Sequence, residues 1–171
     1  GVTNYYSQSR FGGLYPEGTK LYDNIAAVLQ TGFSQQHNIA VEGGTDKITV
    51  RGSGAYTDQK GVVKTTDFTK LNISLNGRAE ITKWLNFEAN MSYAGTTNTK
   101  ALKGNGGPLQ KAVRWPLTDN MLDWQNPDGS QRQPNLYTDT DLLNPLFALY
   151  KNRNYDETER MQVNFSLNAT P

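Results

Sequence analysis

The chain has 171 residues, enough for one domain, and its 17 Lys and Arg nearly balance 16 Asp and Glu, so it lacks the basic excess of a nucleic-acid binder. It contains no cysteine, which excludes disulfide frameworks, Cys-ligated zinc and thiol catalysis. No apolar run reaches the roughly 18 residues of a transmembrane helix, and the first residues lack a signal-peptide pattern; a low apolar average, 36%, is still compatible with a β-barrel, whose strands alternate lipid-facing and water-facing residues.

Residues 1–36 read as loop, punctuated by Gly12, Gly13, Pro16 and Gly18. One short helical pattern lies inside it, with Leu21, Ile25, Val28 and Leu29 on one face and Gly32 as a stop. Residues 37–93 read as antiparallel strands, because apolar residues recur at every second position. His37, Ile39 and Val41 open the pattern, and Gly43–Asp46 forms a tight turn. Ile48, Val50, Gly52, Gly54 and Tyr56 follow on one face. Residues 58–67 make a polar connection. The third strand alternates without a break: Leu71, Ile73, Leu75, Gly77, Ala79 and Ile81 face one way, and Asn72, Ser74, Asn76, Arg78 and Glu80 the other. After a short turn at Lys83-Trp84 come Leu85, Phe87, Ala89, Met91 and Tyr93.

Alternation then stops over residues 94–154, a length that marks a functional or disordered loop rather than a plain connector. Within it, Asn144-Pro145 is a good N-cap and N1 pair for a turn of helix through Tyr150. Residues 155–171 bring a further strand, with Met161, Val163, Phe165, Leu167 and Ala169 on one face.

The fold class these elements predict is all-β: an antiparallel transmembrane β-barrel segment of about five long strands with long extracellular loops, an incomplete barrel. The third strand has the roughly 9–11 residues a tilted strand needs to cross the hydrocarbon layer. Its polar face suits a wet lumen, which makes Asn72, Ser74, Asn76, Arg78 and Glu80 lumen-facing candidates. Trp84 sits at one end of the strands, and Tyr56, Phe68 and Tyr93 at the other, as expected of aromatic girdles. Short turns alternate with long connections, the outer-membrane pattern. Five strands cannot close a barrel, so the expectation is a part of something larger. The rival reading is a self-contained soluble β-sandwich that binds carbohydrate, since sandwich hairpins alternate too.

No catalytic constellation emerges, and the chain reads as a non-enzyme without cofactor or metal. His37 is the single histidine, placed at a strand start with no visible partner for general-base work. Asp139/Asp141 and Asp156/Glu157/Glu159 read as solvated charge rather than a glycosidase pair. Asp119, Asp123 and Asp128 lack EF-hand spacing. Gly104-Asn105-Gly106-Gly107 lacks the Lys-Ser/Thr of a phosphate loop. The Asn-x-Ser/Thr triplets follow from strands rich in those residues. The long loop holds the best contact candidates: Trp115, Trp124 and Tyr137, among Arg114 and Asp123. Aromatic faces beside polar groups suit a sugar or peptide, docking of a partner protein, or packing of the loop itself.

Several stretches resemble the SusC/RagA family of TonB-dependent outer-membrane transporters. They are residues 31–47, with His37-Asn38 before a strand and a Gly43-Gly44-Thr45 turn; Gly54-Ala55-Tyr56; Gln59 through Lys64; Thr82 through Leu85; and Asn144-Pro145-Leu146 with the last strand. The resemblance covers residues 31–100 and 144–171. It implies an outer-membrane location and a plugged barrel of about 22 strands. It also implies import of an oligosaccharide or peptide substrate, a SusD-like lipoprotein lid, the TonB energy-coupling system acting through a plug region missing here, and contact with outer-membrane lipid.

Overall fold

A computed structural model describes residues 14–134 and 143–170. The chain divides into two compact units. One, the sheet unit, comprises residues 32–61, 67–99 and the segment from Tyr155; the other, the loop unit, collects residues up to Thr31, Val62–Thr66 and Lys100–Asn154.

The sheet unit is a five-stranded antiparallel meander of β1 (Phe33–Gly44), β2 (Ile48–Lys60), β3 (Asp67–Thr82), β4 (Leu85–Lys100) and β5 (Asn154–Ala169), each beside its sequence neighbour. Register runs from Phe33 opposite Lys60 to Gly44 opposite Thr49, and from Ile48 opposite Ala79 to Lys60 opposite Asp67. β3 and β4 pair from Asp67 opposite Thr99 down to Thr82 opposite Leu85, with a bulge between Glu80 and Thr82. The β1–β2 hairpin closes through reciprocal backbone bonds between Thr45 and Ile48, at 2.7 and 3.3 Å. A Cβ built on Gly44 would overlap the Ile48 carbonyl oxygen, so this turn requires glycine.

The strands outrun the alternating pattern. β1 begins at Phe33 rather than His37, and β4 continues through Lys100 rather than ending at Tyr93. Apart from Phe33 at the start of β1, the added residues are polar or small on both faces, as in Ala94-Gly95-Thr96-Thr97-Asn98-Thr99. Period-2 contrast vanishes where neither face is apolar, while the backbone ladder continues. The long loop is shorter than expected for the same reason.

The register puts the apolar rows Ile39/Val41, Ile48/Val50/Tyr56, Leu71/Ile73/Leu75 and Phe87/Met91/Tyr93 on one face. That face is bare: Ile39 is 70% exposed, Val41 68%, Ile73 49%, Leu75 46% and Phe165 72%. Among the described residues no second sheet covers it, as a self-contained sandwich would require.

Among the described residues, the buried hydrophobic core lies in the loop unit: Ala27, Val28, Ala112, Trp115, Met121, Leu146 and Leu149. Three short helices frame it: α1 (Asn24–Val28), α2 (Pro108–Arg114) and α3 (Pro145–Lys151). Asp23 caps α1 by accepting from the Ala26 amide, and Asn144 caps α3 by accepting from the Leu146 amide, with Pro145 at N1. The β2–β3 connection joins this unit through Leu29 bridging Val63 and bonds of Gln30 N to Val62 O (2.9 Å) and Lys64 N to Val28 O (3.0 Å). Thr65 holds a left-handed φ of 63°, strained for a β-branched residue, while its hydroxyl donates to the Leu149 carbonyl at 3.0 Å.

Candidate functional site

The polar face of the sheet is built from rows of facing side chains. Arg51 lies between Glu42 and Asn76, and its Nη1 is 3.7 Å from the Glu42 carboxylate. Arg78 lies between Thr49 and Glu88, with its Nε 3.9 Å from Glu88. These charges sit nearest the short turns. Mid-strand the rows are uncharged: Ser53 and Ser74 share a 2.7 Å hydroxyl bond, Ser92 faces Ser74, Asn90 faces Asn76, and Asn72 lies between Ala55 and Ala94, with Lys70 beyond it. Asn72, Ser74, Asn76, Arg78 and Glu80 therefore share one surface with groups that bond readily to water or to hydroxylated solutes. Both ion pairs are open to solvent, so they stabilise little and instead set a local charge pattern.

On the opposite face, the apolar band of β3 runs from Leu71 to Ile81, about 33 Å at about 3.3 Å per residue. Strands of outer-membrane barrels tilt by about 35–45°, and a band of this length so tilted would stand roughly 25 Å tall, the height of such a barrel's apolar belt. Tyr56 borders the band at one end and Trp84, 54% exposed in its turn, at the other. His37 faces Tyr56 from β1.

Burial divides the aromatic candidates of the loop unit. Trp115 is only 1% exposed, and its indole N–H donates to Asp119 at 2.9 Å. Asp119 also receives both arms of Arg132, at 2.6 and 3.2 Å. Those bonds to Asp119 hold the Arg132 guanidinium above its ordinary pKa. Arg132 reaches the Asp123 carbonyl as well, at 3.1 Å. Trp115 therefore packs the unit and offers no free face. Trp124 is half-buried, stacked on Tyr150 at 5.2 Å and edge-on to Phe147 at 6.0 Å. Arg114 and Asp123 are exposed. Tyr137, Asp139 and Asp141 lie outside the described residues. Burial also draws the Lys111 ammonium on α2 below its usual pKa.

Over 154 residues the chain is 27% identical to the TonB-dependent receptor SusC of Bacteroides thetaiotaomicron. The matched region is 87% of this chain and 15% of that receptor, so the chain spans a small part of its relative's length. No family model matches the chain. The match covers most of this chain, and a SusC-like relationship is the coarse reading it supports.

Sequence reasoning missed the polar supports of the loop unit. Asn24, 2% exposed, donates to the carbonyls of Pro116 (2.9 Å) and Asp119 (3.1 Å) and accepts from the Met121 amide (3.1 Å). Asn144 donates to the Met121 carbonyl at 3.4 Å. Two asparagines thus hold both peptide groups of one buried methionine. Asn24 carries no periodic signal that could have marked it.

Proposed function

We propose that this chain is a wall segment of a TonB-dependent outer-membrane transporter. Its bare apolar face meets lipid, and its Asn/Ser/Arg/Glu face lines the water-filled interior. The observation that carries this reading is the inversion of burial. Large apolar side chains of the sheet are exposed, and among the described residues every buried hydrophobic residue of the core belongs to the loop unit. Strands that alternate in this way, at this length, fit a lipid–lumen boundary. Similarity to SusC supports the same assignment. The transported solute is an oligosaccharide or peptide, taken up together with a SusD-like lipoprotein and driven through the TonB system. The partly exposed cluster of Trp124, Phe147 and Tyr150, with Asp123 adjoining Trp124 in sequence, is the surface we assign to solute or lid contact.

The chain's lack of cysteine makes the test clean. Single cysteines placed from Asn72 through Glu80 in the intact membrane protein would be treated with a water-soluble maleimide and with a lipid-soluble one. Asn72, Ser74 and Asn76 positions should react with the first, and Ile73 and Leu75 positions with the second. Equal reaction along the strand would refute the barrel assignment.

A further inference from the structure

Among the described residues, Thr65 is the one non-glycine residue with a left-handed backbone, at φ 63°. Glycine enters this region freely. A β-branched residue there is an outlier, and it persists only where its surroundings enforce it. The surroundings of Thr65 are specific. Its hydroxyl donates to the Leu149 carbonyl at 3.0 Å. That carbonyl lies in the last turn of α3, where a helix runs out of its own amide donors. The residues before and beside Thr65 are tied instead to the end of α1. The Gln30 amide donates to the Val62 carbonyl at 2.9 Å and the Lys64 amide to the Val28 carbonyl at 3.0 Å. The Gln30 side chain adds a bond to the Val63 carbonyl at 3.3 Å, and Val63 packs against the buried core.

We propose that Val62–Thr66 is a spring-loaded strap, a device that does not depend on the barrel reading above. Closed, it lies against α1 and α3 with Thr65 strained, and the bond from Thr65 to Leu149 is its catch. Open, it leaves both helices and Thr65 relaxes to an ordinary φ. Strain of this kind weighs roughly 5- to 150-fold against the closed form. A neutral hydrogen bond contributes roughly 2- to 12-fold in its favour. The closed strap therefore stands on the catch and the α1 bonds together, and loss of the catch moves the balance toward the open form. Because the catch sits on α3, a shift of that helix's last turn opens the strap with no change in the strap itself. The same turn carries Tyr150, stacked on Trp124 at 5.2 Å, so the contact surface assigned above and the catch share one turn of helix.

The test is residue-resolved hydrogen exchange of the intact protein in detergent micelles. It is read at the Gln30 and Lys64 amides, which the closed strap protects. The Met121 amide, bonded to the Asn24 side chain at 3.1 Å, reports on the core. Thr65→Val removes the hydroxyl and keeps a β-branched side chain, so the strap amides should exchange about tenfold faster while Met121 stays unchanged. Thr65→Gly removes the same hydroxyl but relieves the strain. Its strap amides should exchange no faster than in the parent protein, and at least about fivefold slower than in Thr65→Val. A hydroxyl that merely tethers predicts the reverse order, since glycine loses the same bond and loosens the chain. Equal rates in the two variants, faster exchange in Thr65→Gly, or unchanged rates in Thr65→Val would each overturn the strap. If Thr65→Val speeds Met121 as well, Thr65→Ala makes the same comparison with a smaller side chain. Equal acceleration of Met121 in that variant too would overturn the strap, because strap and core would then open as one.

Discussion

Replacing Leu75 by arginine should destabilise the membrane-inserted protein by an amount set by depth. Along β3 each residue advances about 2.5 Å toward the far side of the bilayer, taking about 3.3 Å per residue and a tilt near 40°. The band from Leu71 to Ile81 is centred near Asn76, which puts Leu75 about 2–3 Å from the midplane and Leu71 about 12–13 Å from it. An arginine on the lipid face costs about 2–4 kcal/mol at the midplane and about 0–1 kcal/mol near the interface. Leu75→Arg should therefore lower the folding equilibrium constant roughly 30- to 700-fold, and Leu71→Arg less than about tenfold. Asn90 pairs with Asn76 across the sheet, so Asn90→Arg places the same charge at the same depth on the other face. It should cost under about 1 kcal/mol, because the proposed barrel leaves that face in water. The assay is reversible denaturant titration of the protein in lipid vesicles, followed by tryptophan emission. The reasoning fails if Leu75→Arg and Leu71→Arg cost the same, or if Asn90→Arg costs as much as Leu75→Arg.

Three further changes probe the supports of the two units. Asn24→Asp keeps the shape and the acceptor for Met121 but turns two donors into acceptors aimed at the Pro116 and Asp119 carbonyls; it should loosen the loop unit by about 2–4 kcal/mol, read as faster exchange of the Met121 amide, with partial recovery in acid as the new carboxyl gains a proton. Gly44→Ala drives a Cβ into the Ile48 carbonyl and should cost about 1–3 kcal/mol, with amide exchange rising at Thr45 and Ile48 before it rises in β4. The Ser130 hydroxyl and amide hold the Asp128 carboxyl below its usual pKa, so the stabilisation of this turn is complete above the unfolded carboxyl value and is lost as pH falls through the lower folded one; Asp128→Asn should remove that acid dependence of Ser130 amide exchange.

The sheet was legible in the sequence wherever its two faces meet different environments. From Ile48 to Tyr56 and from Leu71 to Tyr93, alternation marks strand, register and face together, and the observed pairing joins those same positions. Legibility ended where the contrast did: Phe33–Gln36 and Ala94–Lys100 are strands held by the backbone ladder and side-chain bonds such as Gln35 to Asp58 and Thr99 to Asp67, with nothing periodic to announce them. In the loop unit the local signals worked and the long-range ones were silent. The Asn144-Pro145 cap is a matter of adjacent residues and predicts α3 directly. The meeting of Asn24 with Met121, or of Asp119 with Arg132, depends on how distant segments fold together. Trp115 and Trp124 look alike on paper, and only the packing separates a core indole from a half-buried one.

The two units place the same side chains in opposite circumstances. Val28 is 0% exposed and Val41 68%; Met121 is 0% exposed and Met161 65%; Leu146 is 1% exposed and Leu167 66%. Residue type cannot account for this, so the difference lies in what surrounds each unit. The loop unit behaves as a small water-soluble core does, with its polar groups tied to backbone by Asn24, Asn144 and Asp119. In the sheet, fully burying one Val, Leu, Ile, Phe or Met is worth about 1.5–3 kcal/mol. Many such side chains stand exposed along one face, from Ile39 to Leu167. The unclaimed burial therefore reaches tens of kcal/mol, against a net stability of about 5–15 kcal/mol for a typical domain. A sheet with that imbalance is unstable in water and stable against hydrocarbon. The opposite face, where Ser53 meets Ser74 and Arg78 meets Glu88, is unsuited to hydrocarbon and requires water. A sheet one strand-layer thick, with an apolar face that gains from hydrocarbon and a polar face that gains from water, is the pattern on which the proposed barrel wall rests.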